Sequence, residues 1–273
     1  MRHGLSRMGV GLRTQRMNAI SRPFYWLVAT LLFVCSVCRG EAPRFRVLAF
    51  YSETVEHDHV DFAHQAIDFF TAEAKREHYV FDTTKDWNDL TADKLAAYQL
   101  VVWLDDFPHT AAQRSAFEQY MEHGGGWLGF HIAAYNDSGT KWPWFVSFLG
   151  GGVFYGNEWP PLPATITVDD RRHPVTRSLP SSFVSPPNEW YIWKPSPREN
   201  PDVKVLLTLA PSNYPIGMKD VLTAGDLPVM WTNTRYRMLY MNMGHGDRIF
   251  TSRQQNQMLK DAIRWVAAAK TSR

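Results

Sequence analysis

Thiol chemistry is almost absent from this chain. Its 273 residues include two cysteines, Cys35 and Cys38, and both fall within the first forty positions. Downstream of them no disulfide, no thiolate nucleophile and no Cys-bound structural zinc can form. Acidic residues are missing from the same forty positions, which carry six arginines (Arg2, Arg7, Arg13, Arg16, Arg22 and Arg39). Residues 24–38 form an apolar run, short of the ~20 residues that span a bilayer. An arginine flank before a short apolar core reads as a secretory signal, or an uncleaved N-terminal anchor, over residues 1–40, with cleavage near Gly40. No twin-arginine pair precedes that core, and a start at Met17 would give the leader a more ordinary length. Without the leader's six arginines, 23 basic residues face 27 acidic ones. The net charge is then about −4, and nothing argues for a nucleic-acid partner. The protein is expected to be secreted or periplasmic, touching a membrane only through its N-terminal segment. No internal repeat and no long linker divides residues 41–273, which read as one domain.

What is present is an alternation of strand and helix. Residues 45–51, 78–81 and 99–105 read as strands, the last nearly all apolar, as a central parallel strand should be. Residues 60–78 read as a helix with Phe62, Ala66, Phe69 and Phe70 on one face, and residues 90–98 as a short helix. Thr110 to Gln113 is a capping box that opens another helix, which ends at Gly124. An apolar strand then runs into Gly129-Phe-His131-Ile-Ala133. Prolines cluster between 160 and 201. Beyond them, residues 164–169 and 203–209 read as strands, residues 229–233 and 238–243 as a hairpin, and Ser252 to Gln255 as a second capping box before a final helix. This order predicts an α/β fold, a doubly wound and mostly parallel sheet flanked by helices, with a loop-rich second half that completes the sheet and walls its carboxyl edge.

In such sheets ligands bind at the carboxyl ends of the strands. His131 stands there between small residues, where hydrolases with a strand-end elbow carry a nucleophile. Imidazole offers a base, an acid or a metal ligand instead; the alternative is a buried histidine bonded to backbone. His245, between Gly244 and Gly246 after a strand, is a second candidate, since glycine permits tight turns and close ligand approach. Glu189 beside Trp190 and Tyr191 joins an acid to two rings, suited to gripping hydroxyls, or else is a buried acid serving backbone donors. Asp105 and Asp106, at the same edge, can bind sugar hydroxyls or cap the helix at Thr110. Glu56-His57-Asp58-His59 follows the first strand. It can contribute to a divalent-metal site, or be a solvated loop; no cofactor is certain. Of the eleven tryptophans, Trp142, Trp144, Trp159, Trp190 and Trp193 fall in the loop-rich part. They serve either as packing or as a stacking platform for sugar rings.

Gly129-Phe-His131-Ile-Ala133-Ala134, Trp142-Pro-Trp144, the segment from Asp169 through His173-Pro174 to Pro180, Asn188-Glu189-Trp190-Tyr191 and Met243-Gly244-His245-Gly246 occur in this order. Together they resemble the trehalose-utilisation, or ThuA-like, family. The likeness spans about residues 45 to 266. It implies a fold similar to class I glutamine amidotransferases, with histidine at the elbow where those enzymes hold cysteine. It implies disaccharide use, or sugars oxidised to keto forms by a partner sugar oxidoreductase. His59 aligns with the histidine of the family's first loop. Where many members carry His-Pro, this chain has Gly156-Asn157-Glu158, so Asn157 or Glu158 takes over that role or it is lost. Asn188 stands where many have Asp.

Three functions compete. One is a carbohydrate-active enzyme, a lyase, isomerase or hydrolase of a sugar or ketosugar. There His131, His245 and Glu189 transfer protons, while His59, Asp105, Asp106, Asn157, Glu158, Trp190 and Tyr191 bind substrate. The second is a non-catalytic glycan-binding module, which a buried, backbone-bonded His131 would favour. The third, amide hydrolysis, is disfavoured by the missing thiol.

Overall fold

The alternating apolar residues of the first strands face two different cores. The computed structural model describes residues 42–137, 139–217 and 222–268; the predicted leader lies outside them. Strands β1 (Arg46–Phe50), β2 (Val80–Thr84), β3 (Leu100–Trp103) and β4 (Gly126–Phe130) pair in parallel in the order β2-β1-β3-β4. Val47, Ala49, Leu100, Val102, Leu128 and Phe130 point to one face; Leu48, Phe50, Val101, Trp103 and Trp127 point to the other. This is the two-residue period of a strand buried on both sides. Helices α1 (His57–Glu77) and α5 (Arg253–Ala267) cover the first face with Phe62, Phe70, Met258 and Ile263. Helices α3 (Ala111–Glu122) and α4 (Pro143–Leu149) cover the second with Phe117, Met121, Phe145 and Phe148.

The second half completes the same sheet. After α4 come β5 (Val153–Asn157), β6 (Leu162–Val168), β7 (Ser182–Asn188), β8 (Tyr191–Lys194), β9 (Val203–Leu209), β10 (Pro228–Asn233) and β11 (Arg237–Met241). The hairpin β10–β11 returns the chain so that β11 lies parallel to β4, and β10-β9-β6-β7 continue antiparallel. β5 and β8 form a separate ribbon. The carboxyl ends of β1, β3, β4 and β11 therefore share one edge, with Phe50 opposite Trp103, Trp103 opposite Gly129 and Met241 opposite Phe130.

Several local readings shift. α1 begins at His57, so Glu56 to His59 is a helix start and not a solvated loop. His78 closes α1 in the left-handed region, φ 57°, so β2 begins only at Val80. The helix expected over residues 90–98 shrinks to α2 (Ala92–Leu95) after a 3-10 turn at Trp87–Asp89. The Thr110–Gln113 box forms in both directions. At Ser252 only half a box forms: the hydroxyl accepts from the Gln255 amide, while the Gln255 side chain donates to Ser185 Oγ at 2.7 Å, tying α5 to β7. β7 was not expected, and its Pro186 and Pro187 are tolerated because it lies at the edge of the sheet. No helix among the described residues is long and apolar enough to cross a membrane.

Candidate functional site

β4 ends in a sharp turn. His131 follows Phe130 with φ 42°, a left-handed backbone that branched and bulky residues adopt only under constraint. A Cβ at Gly244 would lie 2.8 Å from His131 Cβ and 3.0 Å from Phe130 Cβ. Gly244 thus lets the loop after β11 close onto the elbow. Gly129 serves a different need than expected: a Cβ there would strike the ring of Trp127, 2.0 Å away.

That closure gathers His59, His131, Glu189 and His245. One donor atom from each lies within 4.8 Å of the others, and all four residues are buried. The imidazole centroids form a near-equilateral triangle, with sides of 5.1 Å (His59–His131), 5.0 Å (His59–His245) and 5.2 Å (His131–His245). His59 comes from the first turn of α1, Glu189 from the link between β7 and β8, and His245 from the loop after β11. Asn188 locks the last two together. Its Oδ1 accepts from the backbone N–H of Gly244 and of His245, each at 3.1 Å, and its Nδ2 donates to the Glu189 carbonyl at 2.7 Å. An aspartate could accept those bonds but could not donate the last one.

The hydrogen bonds fix where the lone pairs point. His131 Nδ1 lies 3.0 Å from the Asn242 carbonyl, which can only accept, and 3.2 Å from Asn242 Nδ2, which can only donate; the shorter contact assigns the proton to Nδ1. The other nitrogen, Nε2, then presents its lone pair 3.0 Å from Glu189 Oε2. His245 Nδ1 lies 3.5 Å from Asp58 Oδ2, and its Nε2 lies 3.2 Å from Glu56 Oε2 and 3.7 Å from Glu189 Oε2. His59 Nε2 is buried and makes no well-formed hydrogen bond; Glu56 Oε2 stands 3.4 Å from it. Burial, then the two neighbouring imidazoles, pushes His59 down to about 2, and burial holds His131 well below the usual imidazole range. Burial raises Glu189, whose Oε1 also accepts from Asn157 Nδ2. His59 and His131 are thus held as neutral imidazoles, and they face His245 and the Glu189 carboxyl in a buried cluster. Such an arrangement is costly unless a proton or a cation sits among them. The donor set, three nitrogens and one oxygen, fits zinc, manganese, iron, cobalt or nickel.

The remaining expected site residues fall elsewhere. Asp105 is fully buried, its Oδ1 accepting from the Ser52 N–H at 2.7 Å, and burial pushes it up to about 8. Asp106 accepts from the Phe107 N–H and meets His109 Nε2 at 3.0 Å, so it braces the approach to α3. Neither presents itself to substrate. Glu158 is fully buried, accepts from the Trp190 N–H at 2.8 Å and is pushed up to about 9 by burial. It joins β5 to β8, while Asn157 donates to Glu189. Trp190 is fully buried, with its indole N–H on the Leu162 carbonyl, and cannot stack on a sugar. Tyr191 is buried against His131, centroids 4.0 Å apart, and packs on that ring. Glu56 had been noted only as part of a run. Asn242, whose carbonyl and side-chain amide both reach His131 Nδ1 and whose amide also bonds Asn188 and Tyr240, forms no motif in the sequence.

Beside the cluster opens a cavity of about 310 Å³, lined by Asp58, Asp61, Pro161, His245, Asp247 and Arg248 among others. A larger one, about 410 Å³, lies at the amino ends of the strands around Gln99, Gly125 and Arg237, away from the histidines.

The chain and its fold have known counterparts. The trehalose-utilisation family, ThuA, matches residues 46–266. A solved structure described as a ThuA-like protein of Bacteroides uniformis is 54% identical, covers 83% of this chain and 93% of its own, and superposes with a TM-score of 0.81. Another, described as ThuA-like and from Parabacteroides merdae, is 17% identical, with coverage of 85% and 93% and a TM-score of 0.59. A cytoplasmic protein of Salmonella typhimurium is 10% identical, with coverage of 81% and 98% and a TM-score of 0.52. These last two share the fold alone. No curated protein matches the chain. With its α/β fold and with nearly all of the described chain matched, the protein belongs to the trehalose-utilisation (ThuA) family.

Proposed function

We propose that the protein is a divalent-metal-dependent enzyme acting on a small carbohydrate, a disaccharide or a 3-keto-sugar. The observation that carries the metal is the convergence of His59, His131, His245 and Glu189, with His59 Nε2 lacking a well-formed hydrogen bond and His131 Nδ1 tied to a carbonyl. The carbohydrate rests on the family, named for trehalose utilisation. A bound divalent ion would polarise a substrate carbonyl or hydroxyl, or lower the pKa of a water. The chain's own residues hold that place. Asp58 orients His245, Asn157 orients Glu189, and the half-exposed Glu56 faces both the ring edges and solvent.

Direct proton transfer from His131 to substrate is not the favoured reading. The ring is fully buried and bonded to backbone through Nδ1, the observation expected of a non-catalytic glycan-binding module. Its Nε2, however, faces two further imidazoles and a carboxylate, an arrangement that glycan binding alone does not require. A keto-sugar substrate would come from a partner sugar oxidoreductase, and the leader would export the protein.

The test pairs metal content with turnover. Purified protein, stripped with chelator and reloaded with zinc, manganese, iron(II), cobalt or nickel, is offered glucosides and 3-keto-glucosides, with products followed by NMR. About one equivalent of metal, metal-dependent turnover and loss of both in His59→Ala are expected. Sugar binding with no metal and no turnover would establish the binding module instead.

A further inference from the structure

We propose that Trp159 is the sugar-stacking residue of this protein. It would hold one pyranose ring of a neutral mono- or disaccharide over the cavity lined by Asp58, Asp61 and Asp247; the inference rests on the carbohydrate reading above. Among the tryptophans of the loop-rich half, Trp142, Trp190 and Trp193 are buried, and Trp144 is stacked on Trp142 and Phe148. Trp159 differs, with 41% of its surface exposed. An indole left in water gives up much of the free energy that burying it would contribute, so its position is informative. Its ring stands 6.3 Å from that of His245, edge-on at 84°, on the rim of the histidine cluster.

The backbone that carries Trp159 is pinned. Asn157 donates to Glu189, the Glu158 carboxylate accepts from the Trp190 N–H, and Pro160 and Pro161 follow. The backbone at Trp159 is therefore fixed before any ligand arrives, which lowers the entropic cost of stacking. Pro161 and His245 line the adjoining cavity. Its volume of about 310 Å³ is at the small end of ligand pockets, roughly 300–1,000 Å³, which suits one or two sugar rings. The charges narrow the class. Three carboxylates on the wall disfavour an anion, and Arg248 on the same wall offers donors to a hydroxyl or ring oxygen, which a simple cation could not use. A neutral polyol fits both. Its C–H face suits the indole and its hydroxyls donate to carboxylates.

The experiment uses the full chain labelled with 5-fluorotryptophan, the Trp159 resonance being identified by its loss in Trp159→Phe. Trehalose, methyl glucoside and methyl 3-keto-glucoside are titrated in, with tetramethylammonium and phosphate as charged controls. A saturable shift of that resonance with at least one sugar and neither control is expected. Trp159→Ala should weaken the same sugar about tenfold, Trp159→Phe should restore most of the loss, and metal content should stay within twofold of wild type. An unmoved resonance, an unchanged affinity in Trp159→Ala, a response to either control, or loss of metal would overturn the proposal. Metal-dependent turnover indifferent to Trp159 sinks this inference alone. Sugar stacking on Trp159 without metal binding sinks the metal reading alone.

Discussion

Nε2 of His131 and Oε2 of Glu189 stand 3.0 Å apart although 58 positions separate them in the chain. Both atoms are acceptors when His131 carries its proton on Nδ1, where it is hydrogen-bonded to the Asn242 carbonyl. Their closeness marks a place for a proton or a cation.

Asn157 holds the far oxygen of Glu189 and touches none of the three imidazoles through a hydrogen bond. Asn157→Ala should lower divalent-metal affinity by about 10–100-fold, the usual cost of losing a group that orients a ligand. Competition against a metallochromic chelator measures it. Unchanged affinity would show that Glu189 needs no orientation or does not bind the ion.

Gly244→Ala should destabilise the fold by about 1–3 kcal/mol, because the new methyl group meets His131 Cβ at 2.8 Å between packed strands. The loop must give way, so His245 moves and metal content falls. Urea denaturation and metal analysis follow the two effects. A fully stable, fully loaded variant would contradict the close approach.

His131→Ala removes a fully buried ring. Losing the ring leaves the Asn242 carbonyl short of a donor and opens a cavity, so a cost of about 1–3 kcal/mol is expected. Thermal unfolding of chelator-treated protein checks it, since metal loss then contributes nothing.

Asp105 is raised by burial to about 8, so the native state keeps a proton that the unfolded chain releases near pH 4. The native state then binds more protons than the unfolded one between about pH 4 and 8, and stability falls as pH rises through that window. Asp105→Asn removes the titration. Its urea midpoint should change less between pH 5 and pH 8 than that of wild type. Equal slopes would show that Asp105 ionises freely in the native state.

The leader reading predicts a mature chain beginning near Glu41. Mass spectrometry of the exported protein decides it, and an intact leader on soluble protein would refute cleavage.

Much of the architecture was legible from local physics. Strands β1, β3 and β4 are apolar runs because both faces of a parallel sheet are covered, and α1 and α3 show their buried stripes at helical spacing. His131 and His245 stood out because glycine beside a reactive side chain signals a tight turn. Glu189 stood out as an acid between asparagine and two rings. These signals lie within a few residues of chain. Tertiary structure decided which nitrogen of each ring faces inward, that His59 joins the other two histidines, and that Asp105, Glu158 and Trp190 are buried while Trp159 is not. Those outcomes depend on strand order. β11, the last strand, inserts beside β4 and carries His245 and the Asn242 carbonyl to His131 across 111 positions of sequence. Periodicity reports which face a residue takes on its own element. Which elements become neighbours is set by how the whole sheet buries its two faces, and only the folded chain shows that.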